Sequence, residues 1–506
     1  DSVSLDAINA SDGESLRVTC QVFDTLLDFA PESFELVPAL ATGIPKPEDG
    51  GLSYTLELRK GVKFHDGAPF NADAVIFNFD RWQYTDNPYH KGGGADSAQF
   101  SYFSFQFGGF DDGAVIEKVE AVDEYTVRFT LREPLGPFVK NLAMSPFAIA
   151  SPEAVKKDVE GFWQKPVGSG PFKFVSWETG SQITLEKNPT WWGSELPESQ
   201  GGGAPTISKV VIKAIPDNTS RVAALTRRQL TAADGLVPDD IPTVKFLGLL
   251  DLEFRPPNTI GFLAMNVQKE PFDSRKVRQA INMAIDMERI VDAFLGDTGE
   301  VATNYMPPLL PFFNESVERY PYDPDKARQM LQDAGLENLE TELWYMPIPR
   351  PYMPDAKGIA QAMQQDLRKV GVNVKLVTYD WATYLTKTGR GEHPMAIVGW
   401  TGDNGDPDNF LNTNLNSAAA TEESAYNVAY YKNPELDELL KRGQTTIDED
   451  KRRDAYYEAQ EILHRDAPWV PIAYVKPPVG FQDTVQDYPA SPTGGEAFNT
   501  ISLGSR

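Results

Sequence analysis

Pro394-Met-Ala-Ile-Val-Gly-Trp400 is a continuous apolar run, followed at once by the polar segment Thr401-Gly-Asp-Asn-Gly-Asp-Pro-Asp-Asn-Phe410. Such an apolar run is typical of a strand that is buried on both faces of a sheet. In α/β lobes, ligand sites lie just past the carboxyl ends of the strands. The stretch therefore predicts an α/β lobe with a polar ligand site after a buried strand. The alternative is a capped solvent turn, against which stands the large apolar area of Trp400.

Helix and strand patterns alternate around this run. Asp273-Ser274 precedes a predicted helix with Val277, Ile281, Ile285 and Phe294 on one face. A second predicted helix is capped by Asp323, has Pro324 at its first position and ends at Gly335. A third has an apolar stripe of Ile359, Met363, Leu367 and Val370. A strand is predicted at 372–377 and a further helix at about 451–464. This alternation predicts an α/β lobe over roughly 259–476. The first half is rich in predicted strands, at 53–59, 125–131, 182–186 and 209–215.

Length and charge exclude several classes of protein. The chain has 506 residues, and single cores stop growing near ~250–300 residues, so at least two lobes are expected. The formal net charge of −26 disfavours nucleic acid and anionic lipid as partners. No apolar stretch approaches the ~18 residues of a transmembrane helix. Cys20 is the single cysteine, which excludes an intramolecular disulfide and is interpreted as a small core residue.

Motifs of catalysis and of metal binding are missing from the sequence. There is no nucleotide-phosphate loop, no His-Glu-x-x-His pair and no Gly-x-Ser-x-Gly elbow. Asp403, Asp406 and Asp408 could serve as calcium ligands, but Asn414 stands where a twelve-residue calcium loop needs its terminal glutamate. We therefore predict no catalytic residue, no metal and no cofactor.

Several segments resemble the extracellular solute-binding proteins of peptide ABC transporters, the family-5 group, most closely its dipeptide-binding branch. The matching segments are Asp80-Arg81, Asn87–Lys91, Pro166–Phe172, Asn266–Pro271, Tyr322–Ala327, Met346–Tyr352 and the loop Gly399–Phe410. The resemblance covers essentially the whole chain. It implies an α/β fold, the two-lobed periplasmic-binding-protein clamp of type II with an extra subdomain and a two-segment hinge.

The resemblance also implies where the lobes and the ligand site lie. Lobe I would be residues 1–258 plus 477–506, with the extra subdomain at about 38–176, and lobe II would be 259–476. Asp403 would take the α-ammonium of a peptide, and Arg350 would take its α-carboxylate. The ligand-binding residues expected on this basis are Asp403, Arg350, Trp400, Tyr352, Thr401, Gly402, Asn404, Met346, Gly13 and Glu14. Glu14 would favour basic side chains or would only begin a helix.

The function implied by the resemblance is capture of small peptides, dipeptides first, in the interlobe cleft and delivery to the permease subunits of an ABC transporter. The expected protein is a monomer that binds no nucleic acid and is no enzyme. It would work in the periplasm or anchored at the outer face of the cell membrane of a bacterium. The same fold could instead bind glutathione, haem, an opine, a nickel chelate or a longer oligopeptide. A metal-dependent peptidase is the remote alternative.

Overall fold

The protein divides into two units in its computed structural model, which describes residues 2–10, 12–91, 100–246, 250–421 and 425–504. Unit 1 comprises Asp1–Ala232, Thr445–Ile447 and Phe481–Arg506, and unit 2 comprises Ala233–Gln444 and Asp448–Gly480. The predicted lobe boundaries after 258 and 476 come from the family resemblance, and they stay a prediction.

The described residues of both units form strands and helices, which alternate most regularly in unit 2. In chain order the strands are β1 (Leu27–Phe29), β2 (Leu36–Pro38), β3 (Pro47–Glu48), β4 (Ser53–Glu57), β5 (Ile116–Asp123), β6 (Thr126–Leu131), β7 (Phe172–Glu178), β8 (Gln182–Lys187), β9 (Lys209–Lys213), β10 (Ala232–Ala233), β11 (Leu250–Phe254), β12 (Thr259–Met265), β13 (Gly299–Val301), β14 (Leu339–Trp344), β15 (Val372–Val377), β16 (Met395–Thr401), β17 (Trp469–Val475), β18 (Pro478–Gln482), β19 (Val485–Gln486) and β20 (Ser502–Leu503). The helices are α1 (Gly13–Val22), α2 (Ala72–Gln83), α3 (Ser101–Phe107), α4 (Phe138–Asn141), α5 (Pro152–Lys157), α6 (Asn218–Thr226), α7 (Ile241–Phe246), α8 (Arg275–Ala284), α9 (Met287–Phe294), α10 (Pro324–Asp333), α11 (Ala356–Lys369), α12 (Trp381–Gly389), α13 (Asp408–Leu415), α14 (Pro434–Gln444) and α15 (Glu449–Asp466).

Unit 2 is built on a six-stranded sheet in the order β13-β17-β12-β16-β14-β15. Strand β12 is buried on both faces of this sheet. Its Ile260, Phe262 and Ala264 pack in one apolar cluster, and Leu263 and Met265 pack in another. Because side chains alternate between the faces of a strand, one strand can serve two cores. The sheet is therefore covered on both sides, which makes it a rigid base for the loops at its edge.

Unit 1 contains smaller sheets, among them β3-β4-β6-β5 and β7-β8-β9. Helix α2 packs on the first of these, and a buried ion pair joins its Arg81 to Asp6. Helix α1 packs against β7 and β8 in a second apolar cluster. Cys20 lies on α1, where burial raises the pKa of its thiol to about 12, as expected of a residue that packs rather than reacts.

The strand and helix predictions agree with the structure except after Ser274. One helix is predicted there, but the structure has two, α8 and α9, because Ile285 is extended. The carboxylate of Asp286 then accepts a hydrogen bond from the Arg289 backbone N–H and caps α9. Phe294 therefore lies on a different helix from Val277, and the single-helix prediction is wrong.

Candidate functional site

Two polar loops of unit 2 follow neighbouring strands of its six-stranded sheet. Strands β14 and β16 are parallel neighbours, with Leu343 opposite Met395 and Trp344 opposite Ala396. Both strands therefore run toward the same edge of the sheet. Strand β14 ends at Trp344, opposite Ala396, five residues before β16 ends at Thr401. The loop at 345–355 thus starts lower and passes beside β16, where Tyr352 lies against Gly399, and the loop at 402–407 starts at the end of β16. This is the position in which α/β folds place ligands.

The carboxamide of Asn409 organises the acidic loop. Its Oδ1 accepts hydrogen bonds from the Asp403 backbone N–H (3.0 Å) and from Trp400 Nε1 (3.2 Å), and its Nδ2 donates to Asp403 Oδ2 (3.2 Å). Asn409 is only 2% exposed, whereas Asp403 is half-buried. One buried amide thus fixes both the Asp403 backbone and its carboxylate relative to the indole of Trp400. Sequence reasoning did not single out Asn409.

Two further aspartates, Asp406 in this loop and Asp408 at the start of α13, are buried. Asp406 Oδ1 accepts the Asp408 backbone N–H (3.1 Å) and forms an ion pair with Arg452 (2.7 Å). Its own backbone N–H donates to Oδ1 of buried Asn404 (3.0 Å). Asp406 thus fixes the turn and is neutralised by a guanidinium group. Among the residues that the structure describes, no group of three or more His, Cys, Asp or Glu side chains could hold a metal ion.

Asp408, the first residue of α13, is a buried carboxyl group with a strongly perturbed ionisation. Burial, followed by the charge of Asp406, raises its pKa to about 7. The Gln444 side chain, which donates to Asp408 Oδ2 (3.2 Å), and the charge of Arg452 act in the opposite direction. Its Oδ1 is buried without a hydrogen-bond partner. The cost of burying charge therefore exceeds the stabilisation that these neighbours supply.

The second loop presents Arg350 on a tight turn. Arg350 and Met353 exchange backbone hydrogen bonds of 3.1 and 2.9 Å. The guanidinium carbon lies 5.0 Å from the ring centroid of Trp381, at the start of α12. Arg350 Nε is buried without a hydrogen-bond partner, and no carboxylate of the described residues forms an ion pair with this side chain. A stacked guanidinium in this state is prepared to bind an anion.

Two glycines allow the Arg350 loop to lie directly on the sheet. Gly261 of β12 pairs with Gly399 of β16. A Cβ on Gly399 would lie 2.3 Å from Cδ2 of Tyr352, and one on Gly261 would lie 2.6 Å from the carbonyl oxygen of Tyr352 and 2.5 Å from Cε of Met353. Tyr352 is buried by this packing, which raises the pKa of its hydroxyl, while Arg350 lowers it. Because Gly261 and Gly399 have no side chains, Tyr352 and Met353 pack directly on the sheet, and this contact sets the distance between the sheet and the turn that carries Arg350.

The other predicted ligand-binding residues of unit 2 have structural partners of their own. The Gly402 N–H donates to the Asn258 carbonyl (3.0 Å), and its carbonyl accepts from Asn258 Nδ2 (2.6 Å). Thr401 ends β16 opposite Thr259. Met346 is packed in the apolar core. Their predicted roles toward a ligand stay predictions.

Gly13 and Glu14 lie in unit 1, in the first turn of α1. Both residues are exposed, and the Glu14 carboxylate lies 3.9 Å from Arg17 Nε. Asp12 caps the helix by accepting the backbone N–H groups of Glu14 and Ser15. Glu14 thus occupies a helix-start position, and a role in selecting basic ligands stays a prediction.

Opposite charges on loops that follow neighbouring strands, supported by buried amide and aromatic groups, are suited to binding a charged small solute. The profile described as "Bacterial extracellular solute-binding proteins, family 5 Middle" matches residues 35–422. The chain belongs to this family, whose members are extracellular or periplasmic binding components of transport and not enzymes. The predicted family is thereby confirmed. None of the helices in the described ranges combines the length and apolar character needed to cross a membrane.

Relatives match over nearly the whole chain. The dipeptide-binding protein of Escherichia coli (strain K12) is 36% identical, over 95% of this chain and 89% of the relative. Heme-binding protein A of Haemophilus influenzae is 35% identical, over 96% of this chain and 87% of the relative. The periplasmic binding protein DppA of Helicobacter pylori, solved with the peptide STSA, aligns with a TM-score of 0.86 and 32% identity, covering 100% of this chain and 96% of that one. The predicted fold class is confirmed by this likeness.

Proposed function

We propose that this protein captures small peptides outside the cytoplasm and delivers them to an ABC transporter. One observation carries the choice of ligand: the Arg350 guanidinium is stacked, half-buried and without a carboxylate partner among the described residues. Its loop follows β14, the parallel neighbour of the strand β16 that leads into the Asp403 loop. A peptide is a zwitterion, so its two termini need charges of opposite sign. The Escherichia coli and Helicobacter pylori relatives, a dipeptide-binding protein and a binding protein solved with a peptide, support the same ligand class.

In this proposal the two loops read the two ends of the peptide. Asp403 accepts hydrogen bonds from the α-ammonium group, and Arg350 donates a planar pair to the α-carboxylate. Trp400 and Tyr352 cover the peptide backbone between them. The remaining contacts are proposed for Thr401, Gly402, Asn404 and Met346 in unit 2 and for Gly13 and Glu14 in unit 1.

The finer assignments around this function are also proposals. Lobe I is residues 1–258 plus 477–506 with the subdomain at about 38–176, and lobe II is 259–476. The transporter partner is its permease subunits, and the protein acts as a monomer that binds no nucleic acid. It is either free in the periplasm or anchored at the outer face of the cell membrane.

Calorimetry against di-, tri- and tetrapeptides, with haem as a separate arm, tests the ligand class. We expect peptide binding that weakens when the C-terminus is amidated. Native mass spectrometry of the purified protein should show a mass increment equal to that of a bound peptide. If none of the peptides binds and haem does, the peptide assignment is overturned, and the family membership is unaffected.

A further inference from the structure

We infer that Asn409 is a positioning residue that makes the site selective for a free α-amino group. This inference rests on the proposed function, in which Asp403 binds the ligand ammonium. Asn409 has no assigned role in that function. It is nevertheless the residue that bonds the backbone of Asp403, its carboxylate and the neighbouring indole of Trp400.

The hydrogen-bond pattern fixes the orientation of the Asn409 amide. Two N–H donors, one from the Asp403 backbone and one from Trp400, point at its Oδ1. An amide oxygen can accept both, and its NH₂ group must then face Asp403 Oδ2. An aspartate at position 409 would place one carboxylate against another, and a leucine would leave three polar groups without this partner.

Asn409 is held by a helix rather than by the loop that it serves. It is the second residue of α13, and its backbone N–H donates to the Asp406 carbonyl (3.2 Å). Phe410, Leu411 and Leu415 of the same helix are buried in the apolar cluster that also contains Ile260 of β12. A polar side chain on a packed element has little freedom, so it can hold a loop carboxylate in one rotamer.

This arrangement has two consequences for binding. An N–H donor directed at Asp403 Oδ2 favours the ionised carboxylate, which is the form that attracts an ammonium group. Because the amide is neutral, it supplies this support without adding a competing positive charge. A carboxylate whose rotamer is already fixed also loses less conformational freedom when the ligand arrives. Asn409 therefore acts on affinity through Asp403.

The test compares Asn409→Leu with Asn414→Leu. Asn414 lies on the same helix and is also buried, but its side chain donates to the Phe410 carbonyl (3.0 Å) and not to Asp403. The measured quantity is the ratio of the affinities for one dipeptide with a free and with an acetylated N-terminus. In wild type this ratio should be roughly ten to a hundred. That is the factor in affinity that corresponds to the free energy of one hydrogen bond to a charged group.

We expect Asn409→Leu to lower this ratio about tenfold, with affinity lost for the free peptide and largely kept for the acetylated one. Asn414→Leu should change the melting temperature and leave the ratio as in wild type. Adding Asp403→Asn to Asn409→Leu should lower the ratio little further, because both changes act through one carboxylate. If Asn409→Leu does not fold, Trp400→Phe removes one of the three bonds from outside α13 and should lower the ratio several-fold.

A loss that is equal for both peptides in Asn409→Leu would overturn this inference and leave peptide binding in place. A wild-type ratio near one would instead remove Asp403 from its role, and the positioning role of Asn409 would fall with it. The two failures are therefore distinguishable.

Discussion

Replacement of Asp408 by asparagine should stabilise the protein at neutral pH and remove part of its pH dependence. The folded-state pKa of Asp408 is about 7, against an ordinary value of 3.8. Between these values the folded protein holds a proton that the unfolded chain releases, so the free energy of unfolding falls as pH rises from about 4 to about 7. Each pKa unit is equivalent to about 1.4 kcal/mol, which gives a penalty on the order of 4 kcal/mol above pH 7. An asparagine carries no charge and can still accept from Gln444.

Thermal and urea unfolding of wild type and Asp408→Asn, followed at pH 4.5, 6 and 8, measure this effect. The variant should be several degrees more stable at pH 8, and the difference should shrink toward pH 4.5. Asp325→Asn is the matched control, because Asp325 also lies in the first turn of a helix but is exposed and paired with Arg328. In Asp408→Asn, the free energy of peptide binding should change less than the free energy of unfolding. Stability curves of wild type and Asp408→Asn that run parallel across this pH range would refute the reasoning.

Three further outcomes concern the ligand loops. Arg350→Ala should cost about 2–5 kcal/mol of peptide affinity. Calorimetry should show that C-terminal amidation weakens binding to wild type far more than to the variant, and equal losses would show that Arg350 does not bind the ligand carboxylate. Asp403→Asn should cost about 1.5–3 kcal/mol, and N-acetylation of the peptide should then matter little, whereas an undiminished acetylation effect would contradict the assignment. Gly399→Ala should displace Tyr352 and weaken peptide binding, while Gly43→Ala, where a Cβ has open space, should not; unchanged affinity in Gly399→Ala would show that the Arg350 loop does not depend on this contact.

Much of unit 2 could be predicted because its local signals agree with its fold. Asp323 caps α10, Pro324 is its first residue, and the apolar run at 394–400 is strand β16. The break between α8 and α9 was missed because Ile285 continues the apolar spacing of a helix although its backbone is extended. Hydrophobic periodicity reports which face is buried, and it does not report where a chain turns.

The supporting residues of the candidate site were beyond sequence reasoning for a different reason. Asn409 bonds a residue six positions away, and Gly261 meets Tyr352 and Met353 of a loop 91 positions further along the chain. Such contacts depend on strand pairing, which a single sequence does not display. The Asp-Pro-Asp-Asn order at 406–409 is a signal for the start of a helix, and it could have placed Asn409 on α13 facing back toward the loop.

The neighbouring origin of the two charged loops bears on how such a protein could acquire a new ligand. Adjacent strands of a sheet lie about 4.8 Å apart whatever side chains they carry, and the pairing of Trp344 with Ala396 sets the offset between the ends of β14 and β16. The starting points of the two loops therefore keep their spacing through most changes of sequence. The loops run over residues 345–355 and 402–407, and Tyr352 and Met353 of the first loop pack on the sheet glycines Gly261 and Gly399. Lengthening a loop, or adding a single methyl group beneath it, would move one charge relative to the other while the six strands stay as they are. Ligand length can therefore drift during evolution, or be redesigned, by edits to a handful of positions on an unaltered platform.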